Sequence, residues 1–427
     1  MSALIDGADR PLNIVQLHSS DRGGGAESIA RLNHRMLQAM GHHSRLLVGN
    51  KLGTDAGVEE ICKSHGMPGV KRIANFFEAR LGLQYTYSPS FRRMVRELKS
   101  SVDVVHLHSL HGGQGWADLR GCRQLSRRFP LVMSLHDAWW MTGHCLHGVE
   151  CERWKTGCGQ CPDLQRYPAI PKDGTALNFR RKAWLFKNSR MVCIAPSTWV
   201  LNQTRLSPIL RATEVEVVAN AIDTDCFHPV GRSEAKLQLG LHSDTRTILM
   251  VANHLNVLKG ADTFLRMIRE LSEIDRITIV LIGHGSEKLA LDLRIPCLSL
   301  GYISESARLA ECYRAADLVI VPSKVETFGL VAVEAVACGA AVVSYYAGGL
   351  REVVESLSQV SVPDGDIQGL VDAARRLLTD EPQRQHRVKR GQLYISAHYT
   401  PFVHTSACLN VYRKAIQMFR SPSGLGL

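Results

Sequence analysis

Short apolar runs alternate with amphipathic segments along the chain, and the pattern starts afresh near residue 246. The first group of apolar runs lies at 13–18, 44–49, 102–108, 130–136, 189–197 and 215–223. The second group lies at 246–253, 276–283, 317–323 and 340–346. Strands separated by helices imply βαβ units and parallel sheets. We therefore predict an α/β fold of two Rossmann-like, doubly wound domains facing across a cleft, with ligands bound beyond the carboxyl ends of the strands.

The two groups of runs also set the predicted domain limits. Residues 1–228 form the first domain and residues 229–400 the second, with the polar stretch 228–236 as a linker. Residues 401–427 contain a helical pattern that we expect to pack back on the first domain. A chain of 427 residues suits two large domains.

Composition and the N-terminal sequence do not favour a membrane-spanning or an exported protein. No run approaches the roughly 20 apolar residues that a spanning helix needs. The N-terminal sequence MSALIDGADRPLN lacks the basic and then apolar plan of a secretory signal. We therefore expect a cytoplasmic protein whose twelve cysteines are thiols or metal ligands rather than disulfides.

Positive charge is concentrated in the first half of the chain. Of the net +11, residues 1–230 contribute +9, with 29 Lys+Arg against 20 Asp+Glu. This surplus favours an anionic neighbour, such as nucleic acid, a membrane face or a phosphorylated substrate, although a solvated basic surface fits equally well.

The segment 70–99 combines aromatic and apolar residues with a basic set. We expect it to associate peripherally with an anionic membrane surface, the alternative being an ordinary pair of amphipathic surface helices. The basic residues are Lys71, Arg72, Arg80, Arg92, Arg93, Arg96 and Lys99.

The stretch 317–355 is the richest in groups that can carry chemistry. An apolar strand runs into the loop SKVETFG and then into a helix from about Leu330 to Cys338. Glu326 and Glu334 are expected near the N-terminus of that helix. Such a terminus favours a phosphate or diphosphate, and carboxylates beside it can accept hydrogen bonds from sugar hydroxyls. From these residues alone, a helix merely capped by acidic groups is the alternative.

The string P-S-x-x-E-x-F-G-x-x-x-x-E-A-x-x-x-G, followed by G-G-x-x-E, resembles the donor-site signature of glycosyltransferase family 4, which has the GT-B fold. The matching residues are Pro322, Ser323, Glu326, Phe328, Gly329, Glu334, Ala335, Gly339, Gly348, Gly349 and Glu352. The resemblance continues through VVHLH, LHD, VVANAIDTDCFHP, KGADTFL, IGHGSEKL and LGYIS, and covers about residues 13–415. The pattern is most similar to polysaccharide-assembly members, such as those of colanic-acid-type pathways.

This resemblance implies roles for the matching residues on the donor side. Glu334 would hold the ribose hydroxyls of the nucleotide, and Glu326 would contact the transferred sugar as a catalytic group. The backbone amides of Phe328, Gly329 and Leu330 would orient that sugar and its phosphate.

Two further donor-side positions lie in the segment around KGADTFL. Lys259 stands where the family has a lysine that neutralises the diphosphate leaving group. His254 takes the place of the family's usual arginine. Because a neutral imidazole has no permanent charge at pH 7, we expect a weaker or differently built phosphate site, with another arginine as a substitute.

The first domain should supply the acceptor side. Gly24 and Gly25 are expected to face the donor phosphates or the acceptor, since glycine lets the backbone approach a ligand closely. His136 ends a strand, and the resemblance places it beside the donor sugar as a catalytic group. Asp137 and His108 are candidate acceptor contacts.

The resemblance implies retaining transfer of a hexose from a nucleoside-diphosphate sugar to a lipid-linked or oligosaccharide acceptor in exopolysaccharide or surface polysaccharide synthesis. No catalytic metal is expected, because positioning and electrostatic stabilisation of the departing diphosphate would carry the reaction. A GT-B sugar-nucleotide epimerase and a non-catalytic, zinc-containing binding protein are the alternatives. Nucleic acid is not an expected partner, because no aromatic and basic recognition strip stands out.

Four of the twelve cysteines fall within 17 positions of the insert 142–168: Cys145, Cys151, Cys158 and Cys161. Four thiolates suit a tetrahedral structural zinc ion, with nearby histidines as alternative ligands. A disulfide pair, an iron–sulfur cluster and plain thiols are the other possibilities. Four protein ligands would leave such a zinc ion no open position for catalysis.

Overall fold

The computed structural model describes residues 10–61, 68–111, 115–148 and 151–421, with only the backbone at 68–71. The expected lack of a secretory signal concerns residues 1–13, of which residues 1–9 lie outside this part. Residues 149–150 of the cysteine insert and residues 422–427 also lie outside it.

The described strands form two all-parallel sheets. The first has seven strands in the order β3-β2-β1-β4-β5-β6-β7, and the second has six in the order β10-β9-β8-β11-β12-β13. In the first sheet the strands are β1 Asn13–Ser20, β2 His43–Asn50, β3 Val58–Glu60, β4 Val104–Leu107, β5 Leu131–Ser134, β6 Val192–Ala195 and β7 Glu214–Val217. In the second they are β8 Arg246–His254, β9 Ile277–His284, β10 Cys297–Ser299, β11 Leu318–Val321, β12 Ala341–Tyr345 and β13 Val360–Val362.

Helices cover both sheets. Those that follow the strands of the first sheet are α1 Gly25–Ala39, α2 Pro68–Leu81, α3 Pro89–Glu97, α4 Leu119–Arg128, α5 Thr175–Lys187 and α6 Thr198–Leu206. Later in the chain come α7 Arg232–Gln238, α8 Ala261–Leu271, α9 Ser286–Ala290, α10 Ser306–Ala315, α11 Leu330–Ala337, α12 Gly349–Ser356, α13 Ile367–Thr379, α14 Glu381–His398 and α15 Pro401–Arg420. The predicted class, two doubly wound α/β units with a cleft between them, is confirmed.

The sequence located the strands at the centre of each sheet better than those at its edges. Central strands such as β5 and β11 are buried along their whole length, because helices cover both faces, and they read as continuous apolar runs. The strands that the sequence pattern missed are β3, β10 and β13, each three residues long and each at the edge of its sheet. Short, half-exposed edge strands have little apolar signal to detect.

Two predicted boundaries were wrong. The run 215–223 stays in the sheet only as far as Val217, where β7 ends. The expected linker 228–236 contains the start of α7 at Arg232. Lys236 of this helix is buried, and its Nζ donates to Asp317 Oδ2 at 2.8 Å. The polar residues of this stretch therefore serve an internal ion pair rather than a flexible connection.

The last helix, α15, packs on the first sheet although it follows the second one in the chain. Its residues Leu409 and Tyr412 join Ile14, Val104 and Val132 in one buried apolar cluster. The chain thus crosses from the first sheet to the second and returns. Among the described helices, none has the length and apolar character needed to cross a bilayer.

Leu409→Ala should destabilise the first domain, because Leu409 is 4% exposed. Truncating a buried leucine costs about 2–5 kcal/mol of unfolding free energy. The matched control is Phe402→Ala on the same helix, since Phe402 is 59% exposed and its loss should cost little. Denaturant unfolding followed by tryptophan fluorescence measures both variants, and an equal effect of the two would contradict the packing of α15.

Candidate active site

A cleft of about 1320 Å³ separates the carboxyl ends of the two sheets. The first sheet lines it with the residues after β1 and β5, and the second with those after β8 and β11. Most of the predicted site residues come together here: Gly24, Gly25, His136, Asp137, His254, Lys259, Glu326, Phe328, Gly329, Leu330 and Glu334.

The N-terminus of α11 opens into the cleft. Gly329 precedes the helix with φ +109°, and a Cβ there would lie 2.4 Å from Leu350 Cδ1, so the position requires glycine. Phe328 points its ring into the core against Tyr399, with ring centroids 5.4 Å apart. Within the described chain, no hydrogen bond satisfies the amides of Phe328, Gly329 and Leu330. Free amides at a helix N-terminus form a site for an anion.

Lys259 and Glu326 form an ion pair at this terminus. Lys259 Nζ lies 2.6 Å from Glu326 Oε1, and both side chains are less than one third exposed. The loops that carry them are joined by their backbones, since Lys324 N donates to Leu258 O at 3.0 Å. Next to Lys259, Gly260 has φ +75°, and a Cβ there would lie 2.0 Å from Pro322 O. The pair is therefore held by close backbone packing.

Glu334 lies one turn further along α11. Tyr313 Oη donates to its Oε2 at 3.0 Å. Burial raises the pKa of Glu334 to about 7, although the hydrogen bond from Tyr313 acts in the opposite direction. A carboxylate with a second oxygen available, at the wall of the cleft, can accept hydrogen bonds from a ligand's hydroxyl groups.

Leu330 also contacts the first domain. A Cβ on Gly25 would lie 2.7 Å from Leu330 Cδ1, so the absence of a side chain at Gly25 lets α11 approach α1. The neighbouring Gly23 carbonyl accepts hydrogen bonds from Asn253 Nδ2 at 2.9 Å and Tyr302 Oη at 3.1 Å. The glycine-rich turn is thus a contact between the domains as well as part of the cleft wall.

His136 and Asp137 form the opposite wall, after β5. Burial lowers the pKa of His136 to about 4, so the ring is neutral at pH 7. Burial alone would raise the pKa of Asp137, but the charge of His111 and hydrogen bonds from His111 and the Trp139 amide lower it to about 2. His111 Nε2 lies 2.5 Å from Asp137 Oδ2. Asp137 is therefore ionised and paired with a histidine that the sequence did not single out.

His108 does not line the cleft. It is 1% exposed, and its Nδ1 lies 3.0 Å from His136 Nε2. The expectation that His108 contacts the acceptor directly is wrong, because His108, which directly follows β4, is buried behind His136. Its ring can act on a substrate only through His136.

His254 is exposed in the cleft, where the sequence predicted a departure from the usual arginine. Its ring stacks on His284 at 4.9 Å, and His284 stacks on Tyr302 at 4.8 Å. Besides Lys259, positive charge in the cleft comes from arginines of the first domain, which the sequence pattern did not single out. They are Arg22, Arg31, Arg35 and Arg166.

Glu27 was also missed, although it lies directly after the glycine-rich turn. It lines the cleft, and burial raises its pKa. Helical spacing offered a signal: positions 27, 31 and 35 recur every fourth residue of α1, so one face of this helix carries a charged stripe towards the cleft.

The four cysteines of the insert are free thiols, and none forms a disulfide. Cys161 Sγ lies 3.3 Å from His144 Nε2, and Cys158 Sγ accepts from the Gly143 amide at 3.2 Å. In the described residues, no group of three or more His, Cys, Asp and Glu side chains could hold a metal ion as placed. The predicted structural zinc ion stays a prediction of the sequence.

Two facing Rossmann-like domains with a cleft between the carboxyl ends of their sheets have the architecture of the GT-B fold. Solved structures of this fold superpose on nearly the whole chain. The sucrose-phosphate synthase of Thermosynechococcus elongatus aligns with TM-score 0.69 and 19% identity, over 95% of this chain and 99% of that one. The Anabaena protein HepE, solved with UDP and glucose, aligns with TM-score 0.67 and 17% identity, over 94% and 100%.

Sequence comparison gives the family. The model for glycosyltransferase family 4 matches residues 23–226, and the model for glycosyl transferases group 1 matches residues 232–394. A D-inositol 3-phosphate glycosyltransferase of Catenulispora acidiphila is 36% identical over 339 residues, which are 74% of this chain and 73% of that protein. A putative colanic acid biosynthesis glycosyl transferase, WcaC of Escherichia coli, is 24% identical over 85% of this chain and 90% of that one. The chain belongs to glycosyltransferase family 4 and is a glycosyltransferase.

Gly260→Ala should disable the site through the backbone beside Lys259. The added Cβ meets Pro322 O, so the loop must move in addition to accepting an unfavourable positive φ. We expect a loss of at least about 2 kcal/mol of unfolding free energy and of most transfer activity. Gly240→Ala is the matched control: its φ is +70°, but a Cβ there meets nothing within 4 Å, so it should cost only about 1 kcal/mol. Unfolding and transfer assays on both variants check this, and equal losses would contradict the steric account.

Proposed function

We propose that this glycosyltransferase moves a hexose, with retention of its anomeric configuration, from a nucleoside-diphosphate sugar to a lipid-linked saccharide acceptor in surface polysaccharide synthesis. One observation carries the proposal: the cleft that His136 lines also contains three donor-side groups, which are the free amides at the start of α11, the Lys259 side chain and the Glu334 side chain. These three groups suit a nucleoside diphosphate, and His136 lies on the wall where a sugar would be held.

The donor side follows from the charges of the second domain. The N-terminal dipole of α11 and the Lys259 ammonium group would stabilise the negative charge that develops on the departing diphosphate. Glu334 would accept from the ribose hydroxyls, and Glu326, held by Lys259, would face the transferred sugar. The solved structures of HepE with UDP, and with UDP-glucose, support a nucleotide sugar as donor. No catalytic metal takes part in this scheme, and the structural zinc ion is a separate proposal.

The acceptor side follows from the first domain. Arg22, Arg31 and Arg35 line the cleft there, which supports an acceptor with an anionic group such as a phosphate. The relative named for D-inositol 3-phosphate also supports a phosphorylated acceptor. A lipid diphosphate carrying a saccharide has this chemistry, and the relative named for colanic acid biosynthesis supports a polysaccharide product.

We further propose that the protein works on the cytoplasmic face of the membrane and docks through α2. Four of its apolar side chains are about half exposed or more: Ile73 58%, Phe76 61%, Phe77 50% and Leu81 46%. Arg72 and Arg80 are exposed on the same helix. The segment 70–99 is not uniform, because α3 buries Phe91 and Val95 and pairs Arg92 with Asp118. The proposed docking surface is therefore α2 alone. The side chains of Val70 and Lys71, near the start of this helix, lie outside the described part of the structure.

Release of nucleoside diphosphate from a panel of UDP-, GDP- and ADP-sugars, with membrane lipid extract as acceptor, tests the function. One donor should turn over, and Lys259→Ala and Glu326→Gln should each lower kcat about 10²- to 10³-fold, because they remove charge stabilisation of the transition state. Lys288→Ala, an exposed lysine outside the cleft, is the charge-matched control. The anomeric configuration of the product, read by NMR, checks retention.

The alternatives give different results in the same assay. Conversion of the donor to an isomeric sugar nucleotide without diphosphate release would indicate an epimerase. Absence of turnover and of nucleotide binding would indicate a binding protein.

The affinity for the donor should fall as the pH drops below 7. Glu334 must be ionised to accept two ribose hydroxyls, and burial raises its pKa to about 7, so the donor KM should be about tenfold higher near pH 6 than near pH 8. Glu334→Gln should bind the donor weakly at all pH values and lose this dependence, whereas the exposed Glu381→Gln should keep it. The sugar-nucleotide diphosphate does not titrate in this range, so a pH-independent wild-type KM would contradict the role of Glu334.

Phe76→Ser/Phe77→Ser should weaken sedimentation with phosphatidylglycerol vesicles at least about tenfold, because two half-exposed aromatic rings no longer insert. Leu237→Ser/Leu291→Ser removes two exposed apolar side chains elsewhere and should leave binding unchanged. High salt, or pure phosphatidylcholine vesicles, should also weaken binding. Equal binding of both double variants would rule out α2 as the docking surface.

A further inference from the structure

A line of buried hydrogen bonds connects His136 at the cleft to the last helix of the protein. His136 Nε2 lies 3.0 Å from His108 Nδ1, and His108 Nε2 lies 3.0 Å from Gln16 Oε1. Asn33 Nδ2 lies 3.2 Å from the same Gln16 oxygen and 2.9 Å from Tyr412 Oη on α15. We refer to these five residues as the polar chain.

Every member behind His136 is buried, with Gln16, Asn33, His108 and Tyr412 at most 1% exposed. Burial lowers the pKa of His108 well below its usual value and that of His136 to about 4, so both rings are neutral at pH 7. A neutral imidazole has one N–H group and one lone pair. Once one bond of the chain has a direction, the directions of its neighbours are fixed.

Gln16 sets that direction. Its Nε2 donates to Ser44 Oγ at 3.2 Å, which leaves Oε1, an acceptor only, towards Asn33 and His108. His108 therefore donates from Nε2 and accepts at Nδ1. His136 must then donate from Nε2, which leaves its Nδ1 unprotonated.

The far end agrees with this direction. Asn33 Nδ2 donates to Tyr412 Oη, and Thr405 Oγ1 donates to Asn33 Oδ1 at 3.0 Å. The Tyr412 hydroxyl can then donate to His106 Nδ1 at 2.8 Å. His106 Nε2 donates in turn to Ser134 Oγ at 2.8 Å. Because Thr405 and Tyr412 both belong to α15, the last helix helps to fix the hydrogen-bond direction of the polar chain.

We propose that Gln16 and His108 are positioning residues that keep His136 in the Nε2–H tautomer, so that its Nδ1 accepts a hydrogen bond from a substrate hydroxyl. Asn33 of α1 holds Gln16 in place and is itself bonded to Tyr412 of α15. Within the described residues Nδ1 of His136 has no hydrogen-bond partner, and His136 lines the cleft. The choice of a sugar hydroxyl as ligand rests on the proposed function. The tautomer itself is a property of the protein alone.

An acceptor nitrogen at this place selects its ligand. A hydroxyl group can donate to it, whereas an O-methyl or deoxy analogue cannot. Loss of one such hydrogen bond in a buried site corresponds to about a 10- to 100-fold change in kcat/KM. The polar chain would thereby add specificity for a free hydroxyl to a site otherwise built for charge.

Nitrogen-15 NMR of the full-length protein with labelled histidine, free of ligand at pH 7, tests the tautomer directly. The His136 signals are identified by their loss in His136→Gln. We expect the ring proton of His136 on Nε2. A proton on Nδ1 would mean that the hydrogen bonds of the polar chain have the opposite direction, which overturns the proposal.

Neutral imidazole in water already favours the Nε2–H form, so a reversal of the tautomer is the sharper test. Gln16→Glu should produce that reversal. The carboxylate should keep His108 protonated on both nitrogens. His108 then donates from Nδ1, which forces His136 into the Nδ1–H form and lowers kcat/KM about 10- to 100-fold. A folded Gln16→Glu variant in which His136 keeps its proton on Nε2 would refute the positioning role.

A second pair of variants covers the case in which Gln16→Glu does not fold. His108→Gln retains an acceptor for His136 and a donor for Gln16, so it should keep most of the activity. His108→Phe keeps the ring shape but neither nitrogen, and should lose about 10- to 100-fold in kcat/KM. His404→Phe is the control. His404 is a buried histidine that does not belong to the polar chain, and its Nδ1 lies 2.7 Å from Ala219 O. Equal activity of His108→Gln and His108→Phe would also overturn the proposal.

The two proposals fail separately. If no sugar nucleotide is a substrate, the NMR result on the ligand-free protein still decides the tautomer. If the tautomer is reversed, the donor assay still decides the function.

Discussion

The cleft depends on one loop, residues 323–329, which is fastened to both domains. Thr327 O accepts from Ser197 Oγ at 2.7 Å, and Thr327 Oγ1 donates to the His136 carbonyl at 2.8 Å. The same loop carries Glu326 on one side of Thr327 and the start of α11 on the other. A short stretch of backbone therefore sets the distance between the donor-side charges and His136, and neither wall can move without breaking these bonds.

Charge is divided between the two walls in a way that suits group transfer. The second domain presents amides, one ammonium group and two carboxylates at a helix N-terminus, which can fix a diphosphate and a ribose. The first domain presents neutral His136, ionised Asp137 and arginines from the α1 side. Each group is oriented before a ligand arrives, because backbone packing or a buried hydrogen bond holds it, and such preorganisation is what electrostatic catalysis requires.

The sequence was sufficient for the fold and for locating the loop and helix that carry the predicted donor-side residues. Periodicity identified the central strands, and the long signature around Glu326 and Glu334 located the helix N-terminus, because both signals are local in the chain. Contacts between distant segments were beyond its reach. Glu352, for example, matches the signature, but its carboxylate accepts from the amides of Thr198 and Trp199 and so caps α6 of the other domain. His108 was assigned to the acceptor because strand alternation gives the face of a sheet but not which residue covers another.

The proposed reaction requires the nucleoside diphosphate of the donor to lie at the N-terminus of α11. A crystal structure of the protein with its preferred nucleoside diphosphate tests this most directly. We expect phosphate oxygens within hydrogen-bond distance of the residue 328–330 amides and Lys259 Nζ, and ribose hydroxyls at the Glu334 carboxylate. A nucleotide bound elsewhere, or with its ribose away from Glu334, would rule out this donor site.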